Sequence, residues 1–198
     1  PGPGLAIRVI SNKRQEHSVY QDGVHMIPVY STGVSGDNRV YSPVGIIYGQ
    51  YDYAQLSRRC REVLVERNDL SRVLFSLNTY SHEKYLSNLA GLTRERVELC
   101  KQVDAVVFEV LERMALQYQL WQFPVILIPI RRMGASPGRE SVVLRPVKSV
   151  DGMTATIGDL PFAFYENVTQ TILERFPTKI DTVFLDITSK PPATIEWE

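Results

Sequence analysis

Residues 24–48 read VHMIPVYSTGVSGDNRVYSPVGIIY, and this stretch decides the fold. Apolar and polar side chains alternate from Val24 to Val34 with the two-residue period of a strand, Gly36-Asp37-Asn38 supplies a turn, and a second strand runs from Arg39 to about Tyr48. The spacing predicts a β-hairpin. Beyond it, Leu56, Cys60, Val63 and Leu64 recur at helical spacing between Tyr53 and Arg67, Asn68-Asp69 breaks the helix, and a short strand follows from Arg72 to Leu77. The unit is β-β-α-β.

The same order returns later in the chain. A strand from Phe123 to Ile130, a loop at Gly134-Ala135-Ser136-Pro137-Gly138, a strand from Ser141 to Val147, a helix from Pro161 to Phe176 and a strand from Thr182 to Ile187 repeat it. In that helix Phe164, Val168, Ile172 and Phe176 lie four apart on one face, Asp159 is placed to cap it, and Pro161 falls in its first turn. Between the copies, Thr93 to about Gln119 reads as a helix with Val103, Val107, Val110, Leu111 and Met114 as its buried stripe. The expectation is an α+β protein of two repeated β-β-α-β subdomains, small sheets covered by helices, divided into residues 1–92 and 93–198 with the connecting helix in the second part. One helix per unit leaves a sheet edge or face in need of a partner. Self-association would supply one, and so would the other copy; periodicity does not decide between them.

The chain has 198 residues, 44% of them hydrophobic, with 22 Lys plus Arg balancing 22 Asp plus Glu. That composition is globular and excludes collagen-like or disordered architectures. The near-apolar run from Phe123 to Ile130 is far shorter than the roughly 20 residues of a membrane-spanning helix, and nothing like a signal peptide opens the sequence. A soluble, cytoplasmic protein is expected, with no membrane partner. Zero net charge and the lack of aromatic and basic interleaving on any strand argue against nucleic-acid binding. Cys60 and Cys100 fall inside amphipathic helices and read as packed thiols, and His17, His25 and His82 have no metal-ligand spacing. The sequence contains no Ser-Gly-Gly-x-Asp-Ser phosphate loop, Walker lysine loop, nucleophile elbow or His-Glu-x-x-His, so no catalytic residue and no metal ligand is assigned.

Four features remain as candidates for binding. The opening Pro1-Gly2-Pro3-Gly4-Leu5 is either a linker or a bare backbone that approaches a ligand. The turn Gly33-Val34-Ser35-Gly36-Asp37-Asn38-Arg39 presents an acid and a base at a strand end, where Arg39 either is solvated or grips a phosphate. Gln102 lies on the connecting helix between Lys101 and Asp104 and, by pattern alone, is an exposed polar residue. The tail from Thr188 to Glu198 carries a double proline that favours an extended path, and Trp197 argues that the tail docks.

The tail Asp186-Ile187-Thr188-Ser189-Lys190-Pro191-Pro192-Ala193-Thr194-Ile195-Glu196-Trp197-Glu198, the segment Ser149-Val150-Asp151-Gly152-Met153-Thr154-Ala155, the Gly33–Arg39 turn and the opening Pro1–Ala6 together resemble the C-terminal domain of glutamine-hydrolysing GMP synthase. In that family a class I amidotransferase domain releases ammonia, an ATP-pyrophosphatase domain adenylylates xanthosine 5′-monophosphate (XMP), and the C-terminal domain dimerises and holds XMP. Two copies of the unit match the longer, eukaryotic-type members. Gly152 departs from the aromatic residue or alanine usual there, and the stretch from Ile10 to Val24 is shorter. The resemblance implies a C-terminal piece of a purine-biosynthetic ligase acting in the cytosol. It would bind no cofactor itself, ATP and Mg belonging to the absent ATP-pyrophosphatase domain. Its partners would be XMP, a second copy of the chain in a homodimer, and the glutaminase and ATP-pyrophosphatase domains. Carried over by position, Asp37, Arg39, Gln102, Lys190, Ile195 and Glu196 become the XMP contacts, with Arg39 and Lys190 on the phosphate. The alternative expectation is a dimerisation or interaction module with no nucleotide affinity in isolation.

Overall fold

The computed structural model describes residues 4–36, 38–79 and 83–198. Among these the strands are β1 (Val19–Gln21), β2 (Val24–Ser35), β3 (Asn38–Ile47), β4 (Arg72–Ser76), β5 (Tyr85–Ser87), β6 (Val125–Ile128), β7 (Ile130–Arg132), β8 (Glu140–Leu144), β9 (Val147–Lys148), β10 (Thr156–Ile157) and β11 (Ile180–Asp186). The helices are α1 (Tyr53–Glu66), α2 (Arg94–Arg113) and α3 (Phe162–Arg175). Asp52 caps α1 by accepting from the Gln55 amide, and Thr93 caps α2 by accepting from that of Arg96. The α+β class stands, and so does the repeat: β2-β3-α1-β4 and β6-β8-α3-β11.

The two small sheets expected from the sequence are halves of one. Seven strands run in the order β1-β2-β3-β4-β11-β8-β6. Within each copy the first two strands pair antiparallel (β2–β3, β6–β8) and the last two pair parallel (β3–β4, β8–β11). The copies join where β4 meets β11 antiparallel, with Ser76 opposite Phe184 and Leu74 opposite Asp186. Every residue of β4 and β11 is buried, so neither strand tolerates an open edge, and each closes the other. The sheet edge that made self-association attractive is therefore satisfied within the chain at its centre. At the β6 end the edge is covered too, Ile10 donating to the Leu127 carbonyl at 2.9 Å.

Side-chain parity sorts the two faces. Val73, Phe75, Val183, Leu185, Leu127 and Val142 point to a core shared with α1, α2 and α3. Ile46, Leu74, Ile126, Val143 and Phe184 point the other way, where they meet Tyr85 and Trp197 of the tail. The helices cover one face, and the C-terminal segment helps cover the second.

Three local expectations change. Pro129 ends the run from Phe123 early, since a proline cannot donate to a ladder, and the chain re-pairs as β7 with β5. The helix after it begins at Phe162 with Pro161 as its N-cap and no side-chain cap, because Asp159 stands two residues too early. The tail turns at Pro191-Pro192, where both proline peptide bonds are cis, instead of running on extended.

Candidate functional site

After β11 the chain passes over β4, with the Thr188 hydroxyl accepting from the Val73 amide at 2.8 Å. Lys190 then pairs with Ala155 through both backbone groups (2.8 and 3.1 Å), and its ammonium donates to the Gly152 carbonyl. Gly152 has φ +75°, and a Cβ there would lie 3.2 Å from the Trp121 ring, so the glycine that departs from the family pattern suits this loop. Further on, the Val34 amide donates to the Pro192 carbonyl at 2.7 Å and that of Thr32 to the Trp197 carbonyl at 2.9 Å. The tail thus lies along the part of β2 that the short β1 does not reach.

This close approach depends on Gly33. A Cβ on it would sit 2.8 Å from Ser71 Cβ and 3.2 Å from the Pro192 carbonyl oxygen, both anchored to backbone. Gly33→Ala is expected to cost about 1–3 kcal/mol through overpacking and to displace the tail. Thermal denaturation with amide exchange at Val34 checks it, and unchanged protection of that amide would refute the dependence.

Docking brings four of the expected residues to one cleft of about 210 Å³, lined by Thr32, Arg39, Lys190, Thr194, Ile195, Glu196 and Glu198. Arg39 reaches it from β3, and the others except Thr32 come from the tail. Arg39 pairs with Val34 in the β2–β3 ladder, while its guanidinium has no hydrogen-bond or ion-pair partner among the described residues. Burial raises the Glu196 carboxyl above its ordinary range, against the opposing pull of Arg8, Arg145 and Arg72. Glu198 accepts from the Tyr41 hydroxyl at 3.1 Å. Asp37 lies outside the described residues. Gln102 is not brought to the cleft: it is exposed on α2 and its amide donates to Glu98 one turn earlier, at 3.4 Å. Cys100 and Val103 face the core on either side of it in sequence, which turns Gln102 outward.

Beneath the cleft lies a group the sequence reading missed. Arg72, Arg145 and Asp186 are 0–2% exposed, with both guanidiniums on one carboxylate oxygen, Arg72 at 2.9 Å and Arg145 at 2.7 Å. The Trp197 indole donates to the same oxygen at 3.2 Å. Burial alone would raise the Asp186 carboxyl, but Arg145 and Arg72 together with the hydrogen bonds from Thr188 outweigh it and hold its pKa below the usual carboxylate range. The Thr194 carbonyl accepts from Arg72 (2.8 Å) and Arg145 (2.9 Å), that of Ile195 from Arg145 (3.0 Å), and that of Glu196 from Arg72. In a planar trans peptide the N–H points opposite to the C=O. With these three carbonyls turned inward, the amides of Ile195, Glu196 and Trp197 turn away from the cluster.

A larger cavity, about 700 Å³, opens at the C-terminal ends of β3 and β4 between Tyr48, Tyr51, Phe75 and Phe162. It contains none of the residues singled out in the sequence, and no group of three His, Cys, Asp or Glu that could hold a metal ion occurs among the described residues. No helix among them is long and apolar enough to cross a membrane.

Residues 109–197 match the family described as GMP synthase C terminal domain. A relative from Leptospira interrogans, named "Probable GMP synthase" (glutamine-hydrolyzing), is 30% identical over the whole chain, which corresponds to 34% of that relative. GMP synthases (glutamine-hydrolyzing) from Thermobifida fusca and Thermosynechococcus vestitus are 43% and 39% identical over 54% and 56% of the chain, each match spanning 21% of the relative. The chain therefore spans about a third of the length of the Leptospira relative and matches about a fifth of the other two. The match to the Leptospira relative runs across both copies of the unit.

Proposed function

This chain belongs, through residues 109–197, to the GMP synthase C-terminal domain family, and from that premise we propose that it binds XMP and orients it for amination in the cytosol. In the whole enzyme ATP, XMP, glutamine and water would give GMP, glutamate, AMP and pyrophosphate. The residues of this chain supply binding and orientation, not bond-making. ATP and magnesium belong to the rest of the enzyme, and a second copy of the chain completes a dimer.

The observation that carries the reading is the meeting of Arg39 from the first copy with Lys190, Ile195 and Glu196 of the tail in one cleft. Arg39 offers a planar fork and Lys190 a point charge to the nucleotide phosphate. The outward amides of Ile195 and Glu196 add neutral donors. At about 210 Å³ the cleft is smaller than the roughly 300–1,000 Å³ of pockets that enclose a whole ligand. It takes the phosphate end and leaves the purine projecting toward the ATP-binding part.

Hydrogen bonds to charged groups contribute about 1.5–3 kcal/mol each, while association costs roughly 4 kcal/mol or more. Binding to the chain alone is therefore weak. Calorimetric titration of XMP into the chain is expected to give a saturable heat, with Lys190→Ala weakening it about 10- to 100-fold at unchanged fold. Saturable binding that survives Lys190→Ala unchanged removes Lys190 from the site. No binding to the parent chain supports the second reading, an interaction module, for which Glu196 and Glu198 beside Arg39 and Lys190 speak because they cancel the cleft's charge.

A further inference from the structure

We infer that Arg72 and Arg145 are positioning residues of the cleft: anchored on the single carboxylate of Asp186, they fix the tail pose in which Ile195 and Glu196 meet the phosphate, and they hold a surplus positive charge beneath it. This inference rests on the cleft being a phosphate site.

Two guanidiniums share one carboxylate, and all three groups are out of contact with water. A buried charge without a counter-charge must be met by oriented dipoles. Here the dipoles are the carbonyls of Thr32, Thr188, Thr194, Ile195 and Glu196, each accepting from Arg72 or Arg145. Four of those carbonyls, all but that of Thr188, belong to residues that line the cleft. The contacts that solvate the buried charge are therefore also the ones that shape the cleft.

The arrangement needs arginine. One terminal nitrogen of Arg72 serves the carbonyls of Thr32, Thr194 and Glu196 while the other takes Asp186. A lysine ammonium donates from one point and cannot span that set. Arg72 lies on β4 of the first copy and Arg145 follows β8 of the second, so both copies set the pose. Within the cleft Arg39 and Lys190 face Glu196 and Glu198, which leaves the surplus charge to come from below.

Arg145→Met removes that surplus and leaves the Arg72–Asp186 pair balanced, whereas Arg145→Lys keeps the charge and loses the fork. Both are made in the full chain and titrated with XMP from pH 5.5 to 7.5, across the second phosphate ionisation near pH ~6. The indole N–H resonance of Trp197 reports whether the tail is still docked. With that resonance in place, Arg145→Met is expected to bind XMP at least tenfold more weakly and to lose the parent's rise in affinity above pH 6. Arg145→Lys is expected to bind at least tenfold more weakly while keeping that rise. A docked Arg145→Met with the parent's affinity and pH profile overturns the inference. Should that variant fail to fold, unchanged affinity in Arg145→Lys overturns it and a tenfold loss supports it. A parent chain that does not bind XMP overturns the phosphate reading as well, whereas a binding parent with unaffected variants overturns only the positioning role.

Discussion

Asp186→Asn is expected to destabilise the protein by about 3–5 kcal/mol, because it leaves two buried guanidiniums without their shared counter-ion. The substitution keeps the size of the side chain and removes only the charge. In the parent, Arg72 at 2.9 Å, Arg145 at 2.7 Å and the Trp197 indole at 3.2 Å converge on one oxygen of this carboxylate, while its other oxygen accepts from the Thr188 amide at 3.0 Å. Urea denaturation of the two proteins at neutral pH measures the loss, and a change under 1 kcal/mol would contradict it. The same ion cluster sets a pH dependence. The folded pKa of Asp186 lies below its unfolded value, so its contribution is fully present above the unfolded value of about 3.9. It drains away as the pH falls from there through the folded pKa. The stabilities of parent and Asp186→Asn should therefore converge below about pH 4 and stay apart above it.

Trp197→Ala has the second large effect. The side chain is 1% exposed among the tail-side core residues, and the Arg72 guanidinium carbon stands 5.1 Å from its ring centroid. Truncating a buried tryptophan costs about 3–5 kcal/mol, and here the cavity opens where the tail meets the sheet. The damage is expected to be local. The Thr32 and Val34 amides, whose acceptors are the Trp197 and Pro192 carbonyls, should lose exchange protection. Amides of α2 and α3 should keep theirs, and XMP affinity should disappear with the tail. Trp197→Phe separates the contributions, keeping most of the apolar contact while giving up the hydrogen bond to Asp186. Protection at Thr32 and Val34 that survives Trp197→Ala would mean that the tail holds without its terminal anchor.

Much of this architecture can be read locally. The hairpin at 24–48, the helix stripes and the twofold repetition are signals of period two and near four, and the tail motif carries the family resemblance together with the segments quoted beside it. Pairing between the copies is not local. Nothing in Arg72–Ser76 names β11 as its neighbour, since a strand buried on both faces carries no alternation to set a partner or a register. The buried cluster left a trace that could have been used. Arg72, Arg145 and Asp186 each stand two positions from an apolar residue of the tail-side face: Leu74, Val143 and Phe184. Charge at the parity of an apolar core face, in or just after three strands, points to a buried ion group. Gln102 shows the opposite limit, because helix position alone does not say whether a side chain meets a cleft built from other elements, and within this chain Gln102 stays exposed on α2 away from it.

The pairing at the centre of the sheet also constrains how the chain can be made. β4 finds its outer neighbour only when β11 is available, more than a hundred residues further along. Until the ribosome has delivered that stretch, a strand that is wholly buried in the finished fold stays open on one side, the kind of edge that invites pairing with other nascent chains. The first repeat therefore cannot mature as it emerges. Its open edge is closed only when the second repeat arrives.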